Sequence, residues 1–248
     1  MRLAIFSDVH ANFHALEAVW GDIQQQKPDA VYCLGDLVGY GAEPNEVIDF
    51  IKTFNVPTIM GNYDDGVGFD LDDCGCVYKD PQDDQRGKQS LNWSRERVTP
   101  NRKEFLRKLP MHIRKTIGGQ QFLMVHGSPR KMNEYLYEDR PLATFEHVAK
   151  VAGCDILLFG HTHLPYQKRV GSTLFINTGS VGKPKDGDPR AGYVLLDLAK
   201  GPKVDFRRVR YDVEAATQAI RGSGLPPHFA DLLETGGVIP SPHLQGVK

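Results

Sequence analysis

Five short apolar runs in this chain each end in a burst of Asp, His, Asn and Gly. Leu3–Phe6 leads into Ser7-Asp8-Val9-His10-Ala11-Asn12, Val31–Leu34 into Gly35-Asp36, and Pro57–Met60 into Gly61-Asn62-Tyr63-Asp64. Gln121–Val125 leads into His126-Gly127-Ser128, and Ile156–Phe159 into Gly160-His161-Thr162-His163. Short apolar runs bounded by turn formers read as buried strands. Amphipathic stretches separate the first three. Leu16, Val19, Trp20 and Ile23 recur at helical spacing between Asn12 and Lys27-Pro28, and Asn45–Phe54 offers Val47, Ile48, Phe50 and Ile51 to a core. Strand, helix, strand, helix, strand implies right-handed crossovers and a parallel sheet, hence an α/β fold. Ligands of such sheets bind outside the carboxyl ends of the strands, so the five polar loops can converge on one site.

Asp64–Asp84 breaks the rhythm, being rich in Gly, Asp and Cys with little periodicity. Ser90–Arg97 and Pro100–Leu109 then read as helices, and residues 64–110 as an insertion over one end of the sheet. Its acidic start reads as a solvated lid, since it lacks the spacing of a calcium loop. From Ile113 the pattern turns to β. Arg114–Ile117 and Gln121–Val125 flank a Gly118-Gly119 turn as a hairpin, and a helix follows around Leu142–Val151. Ile156–Phe159, Tyr166–Val170, Thr173–Ile176, Tyr193–Leu198 and Val204–Val209 read as a second, more antiparallel sheet. The chain thus divides into a domain over residues 1–211 and a helical tail over 212–248. Apolar faces of that tail (Val213, Ala216, Ile220; Phe229, Leu232, Leu233) pack on the core or on a second subunit of a homo-oligomer. His228 and His243 read as surface residues.

Charge removes one large class of function. Thirty Lys+Arg against 31 Asp+Glu leave a net charge of −1 over 248 residues, without the basic footprint of a nucleic-acid binder. No signal peptide opens the sequence and no run is long enough for a membrane span, so a cytoplasmic protein is expected. Cys33 and Cys154 lie in or beside apolar runs. Cys74-Gly-Cys76 is too close for an ordinary bridge and lacks a second pair for zinc, so reduced thiols are the expectation.

Each polar burst is unremarkable alone, because Gly-Asp and Gly-Asn are common turns. Together they place four of the nine histidines, with Asp8, Asp36 and Asn62, at strand ends. Such oxygen and nitrogen donors suit manganese first, and also iron, zinc or nickel; no thiolate is among them. Seven donors are too many for one tetrahedral ion. They suit two divalent metals sharing a bridging carboxylate, a clamp that stabilises the attacking and leaving oxygens of an in-line phosphoryl displacement.

The ordered set Asp8-x-His10, Gly35-Asp36, Gly61-Asn62, His126 and Gly160-His161-x-His163 resembles the calcineurin-like metallophosphoesterases, especially their small bacterial branch, over roughly residues 1–198. The resemblance implies a four-layer α/β/β/α sandwich of two mixed sheets. It implies that Asp8, His10 and His163 bind one metal, that Asn62, His126 and His161 bind the other, and that Asp36 bridges. Asn12 matches a supporting position, and Asn177-Thr178-Gly179-Ser180 a turn behind the site. The implied reaction is hydrolysis of a small phosphate ester by a hydroxide bridging the two metals, with His126 or Asn62 offsetting charge on the phosphoryl oxygens.

Tyr63 is the departure. Phosphomonoesterases of that family usually carry His there to protonate the leaving oxygen. A phenol with pKa near ~10 is poorly matched to that task at pH 7. The substitution tilts the expectation towards phosphodiesters or activated phosphates, with monoester, nucleotide or phosphoprotein hydrolysis as the alternative. Some relatives are non-catalytic scaffolds, but a pure scaffold has no need for a costly cluster of buried polar groups.

Overall fold

The computed structural model describes residues 1–78 and 80–238. Two mixed sheets stack face to face. The first has the order β2-β1-β8-β9, from β1 (Arg2–Phe6), β2 (Ala30–Cys33), β8 (Ala191–Asp197) and β9 (Lys203–Val209). The second has the order β3-β4-β5-β7-β6, from β3 (His112–Ile117), β4 (Gln120–Val125), β5 (Ile156–Phe159), β6 (Tyr166–Val170) and β7 (Thr173–Asn177). Parallel pairs form the centre of the second sheet, and the β3–β4 and β6–β7 hairpins form its edges.

Strand periodicity explains the layering. Leu3 and Ile5, Phe122 and Met124, and Ile156 and Leu158 point between the sheets into one core. The alternate residues Ala4 and Phe6 face α1 (Phe13–Gln26), α2 (Pro44–Thr53) and the tail helices α7 (Val213–Ser223) and α8 (His228–Glu234). Leu123, Val125, Leu157 and Phe159 face α6 (Leu142–Ala152). Strands buried on both faces must be apolar throughout, which is why their runs stand out in the sequence. The result is the expected four-layer α/β/β/α sandwich. No helix among the described residues is long and apolar enough to cross a membrane.

Three expectations need correction. Pro57–Met60 is not a strand; it makes one parallel bridge, Cys33 to Thr58, before Met60 turns its N–H to Pro110 O at 2.8 Å. Pro57 has no N–H to extend the ladder. Next, β8 and β9 belong to the first sheet, where β8 runs antiparallel to β1 with Arg2 opposite Asp197. Finally, the insertion opens as a helix, α3 (Asn62–Gly68), followed by α4 (Pro81–Arg97) and α5 (Pro100–Arg107). Gly66 and Gly68 hide α3 in the sequence because glycine is a poor helix former, while contacts with α4 and α5 hold it in place. The acidic residues that follow are partly answered: Asp70 pairs with Arg95 and Lys103, and Asp72 with Arg95. Ala216, Ile220, Phe229, Ala230 and Leu233 of the tail complete the first core. His243 lies outside the described residues.

Candidate metal centre

The ends of β1 and β2 lie side by side, as do those of β4 and β5, and the loops beyond them meet. Backbone bonds lock the loops together: Asp8 N–H donates to Gly35 O at 3.0 Å, His10 N–H to Asp36 O at 2.9 Å, and Gly160 N–H to His126 O at 2.8 Å. Five of the expected site residues hold left-handed backbone: Asp8 (φ 54°), His10 (48°), Asp36 (54°), His161 (65°) and His163 (61°). Each costs on the order of 1 kcal/mol, and such strain persists only where the surroundings over-determine it. Two glycines make room for the carboxylates. A Cβ on Gly61 would lie 2.2 Å from Asp36 Oδ1, and one on Gly160 would lie 2.5 Å from Asp8 Oδ2.

All seven expected donors come together, each no more than 3% exposed. Asp8, His10 and His163 form one cluster and Asp36, His126 and His161 another, with one ligating atom from each residue within 4.8 Å of the others in its cluster. Asn62 joins the second group through Oδ1, 3.1 Å from His126 Nε2. Asp36 Oδ2 stands between the two, 3.6 Å from His10 Nε2 and 3.3 Å from His126 Nε2.

The hydrogen bonds orient the rings. His10 Nδ1–H donates to Val38 O at 3.0 Å, His126 Nδ1–H to Leu34 O at 2.8 Å, and His163 Nδ1–H to Lys183 O at 2.5 Å. A carbonyl can only accept, so in the neutral rings each Nε2 turns a lone pair inward, as metal-ligating imidazoles do. His10 Nε2 and His163 Nε2 then face each other at 3.1 Å. Two lone pairs that close repel unless a cation lies between them. Neighbouring nitrogens around an ion at ~2.1 Å would be about 3.0–3.4 Å apart. Asp8 Oδ1 and His161 Nε2 are fully buried and have no hydrogen-bond partner among the described residues. The donor set therefore fits two divalent ions.

Electrostatics agree for three of the four rings. Burial, with His163 close by, pulls His10 well below its ordinary pKa; burial and His126 do the same to His161, and burial and Lys185 to His163. Neutral imidazole is the form that binds metals. Burial also pulls His126 down, but Asp36 and Asp8 outweigh it and hold this ring at about 10 before any metal binds. Burial raises Asp36, against the attraction of His126.

Tyr63 is 1% exposed, its ring edge-on to His10 at 5.5 Å and its hydroxyl 3.2 Å from that of Tyr78. Tyr78 also meets the Tyr40 hydroxyl at 2.7 Å. Burial and Tyr40 push the Tyr63 phenol well above its ordinary value. The Asn62 amide donates to Cys74 O and to Cys76 Sγ, both at 3.2 Å, which turns Oδ1 towards His126. All four cysteines are free. Asn12 caps α1 by accepting from Ala15 N–H at 3.1 Å, and Asn177 ties its turn to Gly160 O at 2.9 Å.

Several contacts around the site cannot be read from the sequence. Asp64 accepts the N–H groups of Asp36, Leu37 and Gly61 at 2.8–2.9 Å, and burial next to Asp36 raises it to about 7. Tyr135 lies over His161, with ring centroids 4.1 Å apart. Burial and Lys185 pull Lys183 down to about 7.

Comparison with known proteins places the chain. A family model, the calcineurin-like phosphoesterase superfamily domain, matches residues 1–201. The chain belongs to that superfamily. An uncharacterized protein of Methanocaldococcus jannaschii is 31% identical over 94% of this chain and 98% of its own. The crystal structure of a metallophosphoesterase from Sphaerobacter thermophilus superposes with a TM-score of 0.78, at 29% identity over 95% of this chain and 99% of that one. A short stretch of 43 residues, 17% of this chain and 23% of the relative, is 49% identical to the Escherichia coli phosphodiesterase YfcE. A hydrolase acting on phosphate esters, with candidate sites for two divalent metals, is what family and geometry together support.

Proposed function

We propose that this chain is a dinuclear metal-dependent phosphoesterase acting on small phosphodiesters or activated phosphate esters. Asp8, His10 and His163 would hold one ion, Asn62, His126 and His161 would hold the other, and Asp36 would serve both. The observation that carries this reading is the inward convergence of Nε2 lone pairs, above all the 3.1 Å approach of His10 to His163. The nitrogen and oxygen donors favour manganese, with iron, zinc or nickel also suited. Four free cysteines accord with a cytoplasmic setting.

When bound, the two metals supply Lewis acidity and an activated water nucleophile. The chain's own groups do the positioning. Carbonyl oxygens of Val38, Leu34 and Lys183 hold the imidazoles in one tautomer, and Cys74 and Cys76 hold the Asn62 amide in one orientation. Asn62 and His126 spend their N–H groups on Cys74, Cys76 and Leu34, so they would serve the second ion through Oδ1 and Nε2 and have no donor left for the phosphoryl oxygens. Tyr63 is the candidate donor to the leaving oxygen. Its raised pKa keeps the phenol protonated but makes it a feeble acid. Leaving groups that need little proton help are therefore favoured, and the short likeness to a phosphodiesterase supports the same preference.

Hydrolysis of bis(p-nitrophenyl) phosphate and p-nitrophenyl phosphate, before and after chelation and with Mn²⁺ restored, tests this reading. Diester cleavage that chelation removes and Mn²⁺ restores is expected, with the monoester slower. A fully metal-loaded protein that cleaves neither would overturn it.

A further inference from the structure

Beside the metal centre, and not among its donors, lies a cavity of ≈ 350 Å³. Tyr40, Tyr78 and Phe229 wall it, and Lys183, Lys185 and His228 contribute nitrogen. Lys183 is 9% exposed, its ammonium 4.3 Å from the centre of the Tyr40 ring. Neither lysine has a carboxylate partner among the described residues. Asp83, the acid in the same wall, is already engaged by Arg86 at 2.9 Å and by His228 at 3.6 Å. The cavity adjoins the metal site directly. Lys183 O takes the Nδ1–H of His163, and the Tyr40 ring stands edge-on to His10 at 4.8 Å.

Placing a buried Lys183 and a half-buried Lys185 here does not balance the donors' charge. Two divalent ions would already outweigh Asp8 and Asp36, so each lysine, when protonated, adds to the local positive charge. Such an arrangement is costly unless an anion comes to it. Inorganic counterions and the scissile phosphoryl group find positive charge at the metals themselves; the lysines extend that field sideways into a space large enough for more of the substrate.

We propose that Lys183 and Lys185 form a second anion subsite, so that the preferred substrates are phosphate esters carrying a further phosphate or similar anion. The substrate class rests on the phosphoesterase reading above; the anion subsite does not. An ammonium has no fork to demand bidentate geometry, so the subsite is selective for charge more than for shape. The aromatic wall then contacts whatever links the two anions.

The test uses the metal-loaded full chain and two readouts. One is the ratio of kcat/KM for thymidine 5′-(p-nitrophenyl phosphate) with and without a 3′-phosphate. The other is the ratio of calorimetric affinities for thymidine 3′,5′-bisphosphate and thymidine 5′-monophosphate, which needs no turnover. Both ratios should exceed tenfold in the unmodified protein. Lys183→Gln and Lys185→Gln should each lower them at least threefold and the double variant should bring them close to one, whereas Lys185→Arg should retain most of the preference. Ratios near one in the unmodified protein, or unchanged in the double variant, would overturn the subsite. A binding preference without any turnover would instead count against the phosphoesterase reading and leave the subsite standing.

Discussion

The candidate metal centre and the rim around it are built in opposite ways. The centre stands on the ends of β1, β2, β4 and β5, where loops are short, crossed by backbone hydrogen bonds and held in left-handed conformations. Nearly every donor has one group tied to a carbonyl or N–H and one group free. The rim comes from Tyr40, Tyr63, the residues before α4, the Lys183–Lys185 strap and α8, and its side chains mostly touch one another: Tyr63, Tyr78 and Tyr40 through hydroxyls, Cys74 and Cys76 through sulfurs 3.5 Å apart. The difference separates two jobs. A rigid frame can fix donor atoms to within tenths of an ångström, as two-metal chemistry requires, while the rim can vary to suit a substrate without disturbing them.

If that division is real, damage to the frame must cost far more than damage to the rim. Asp8→Ala and Asp36→Ala should lower turnover by about 10³-fold and reduce bound metal, with circular dichroism unchanged. Activity retained above a few per cent with the fold intact would break the assignment. Asp64→Ala tests the frame without removing a donor. It strands three buried N–H groups and should cost about 3 kcal/mol or more in denaturant titrations; a loss below 1 kcal/mol would show that the loops hold themselves.

At the rim, Tyr63→His should raise the rate on p-nitrophenyl phosphate relative to the diester by about tenfold, below the ~10²–10⁴ of a fully placed acid. An unchanged ratio would mean that Tyr63 only packs between His10 and Tyr40. The smallest effect lies far from both regions. Asp22 is lowered below its ordinary pKa: burial raises it, but hydrogen bonds from Tyr193 at 2.5 Å and from Arg207 outweigh that. A depressed carboxyl stabilises the fold above its unfolded pKa of ~3.9 and loses that contribution as pH falls through its lower folded value. Tyr193→Phe should therefore cost up to about 1 kcal/mol at pH 7 and less near pH 3, which denaturation at the two pH values reads directly.

The same division governs what the sequence discloses. Frame residues follow apolar runs that the double-sided burial of the strands makes conspicuous, so β5 (Ile156–Phe159), β6 (Tyr166–Val170) and the limits of α1 are all legible, as is the meeting of seven donors. Sheet membership is not. The pairing of Arg2 with Asp197 joins residues about four-fifths of the chain apart, and β8 and β9 look the same locally whichever sheet they enter. Helix α3 is invisible because tertiary contacts override two glycines. The rim leaves no local trace either, since nothing in Gly182-Lys183-Pro184-Lys185 announces that both lysines face a cavity beside Tyr40.

These strand ends should hold two metals. Metal analysis of the purified chain, followed by anomalous diffraction at the metal absorption edge, tests this most directly. Two ions per chain are predicted, one among Asp8, His10 and His163, one among Asn62, His126 and His161, with Asp36 between them. A chain that binds no divalent metal after manganese loading, or binds it elsewhere, would show that these strand ends are not a metal centre.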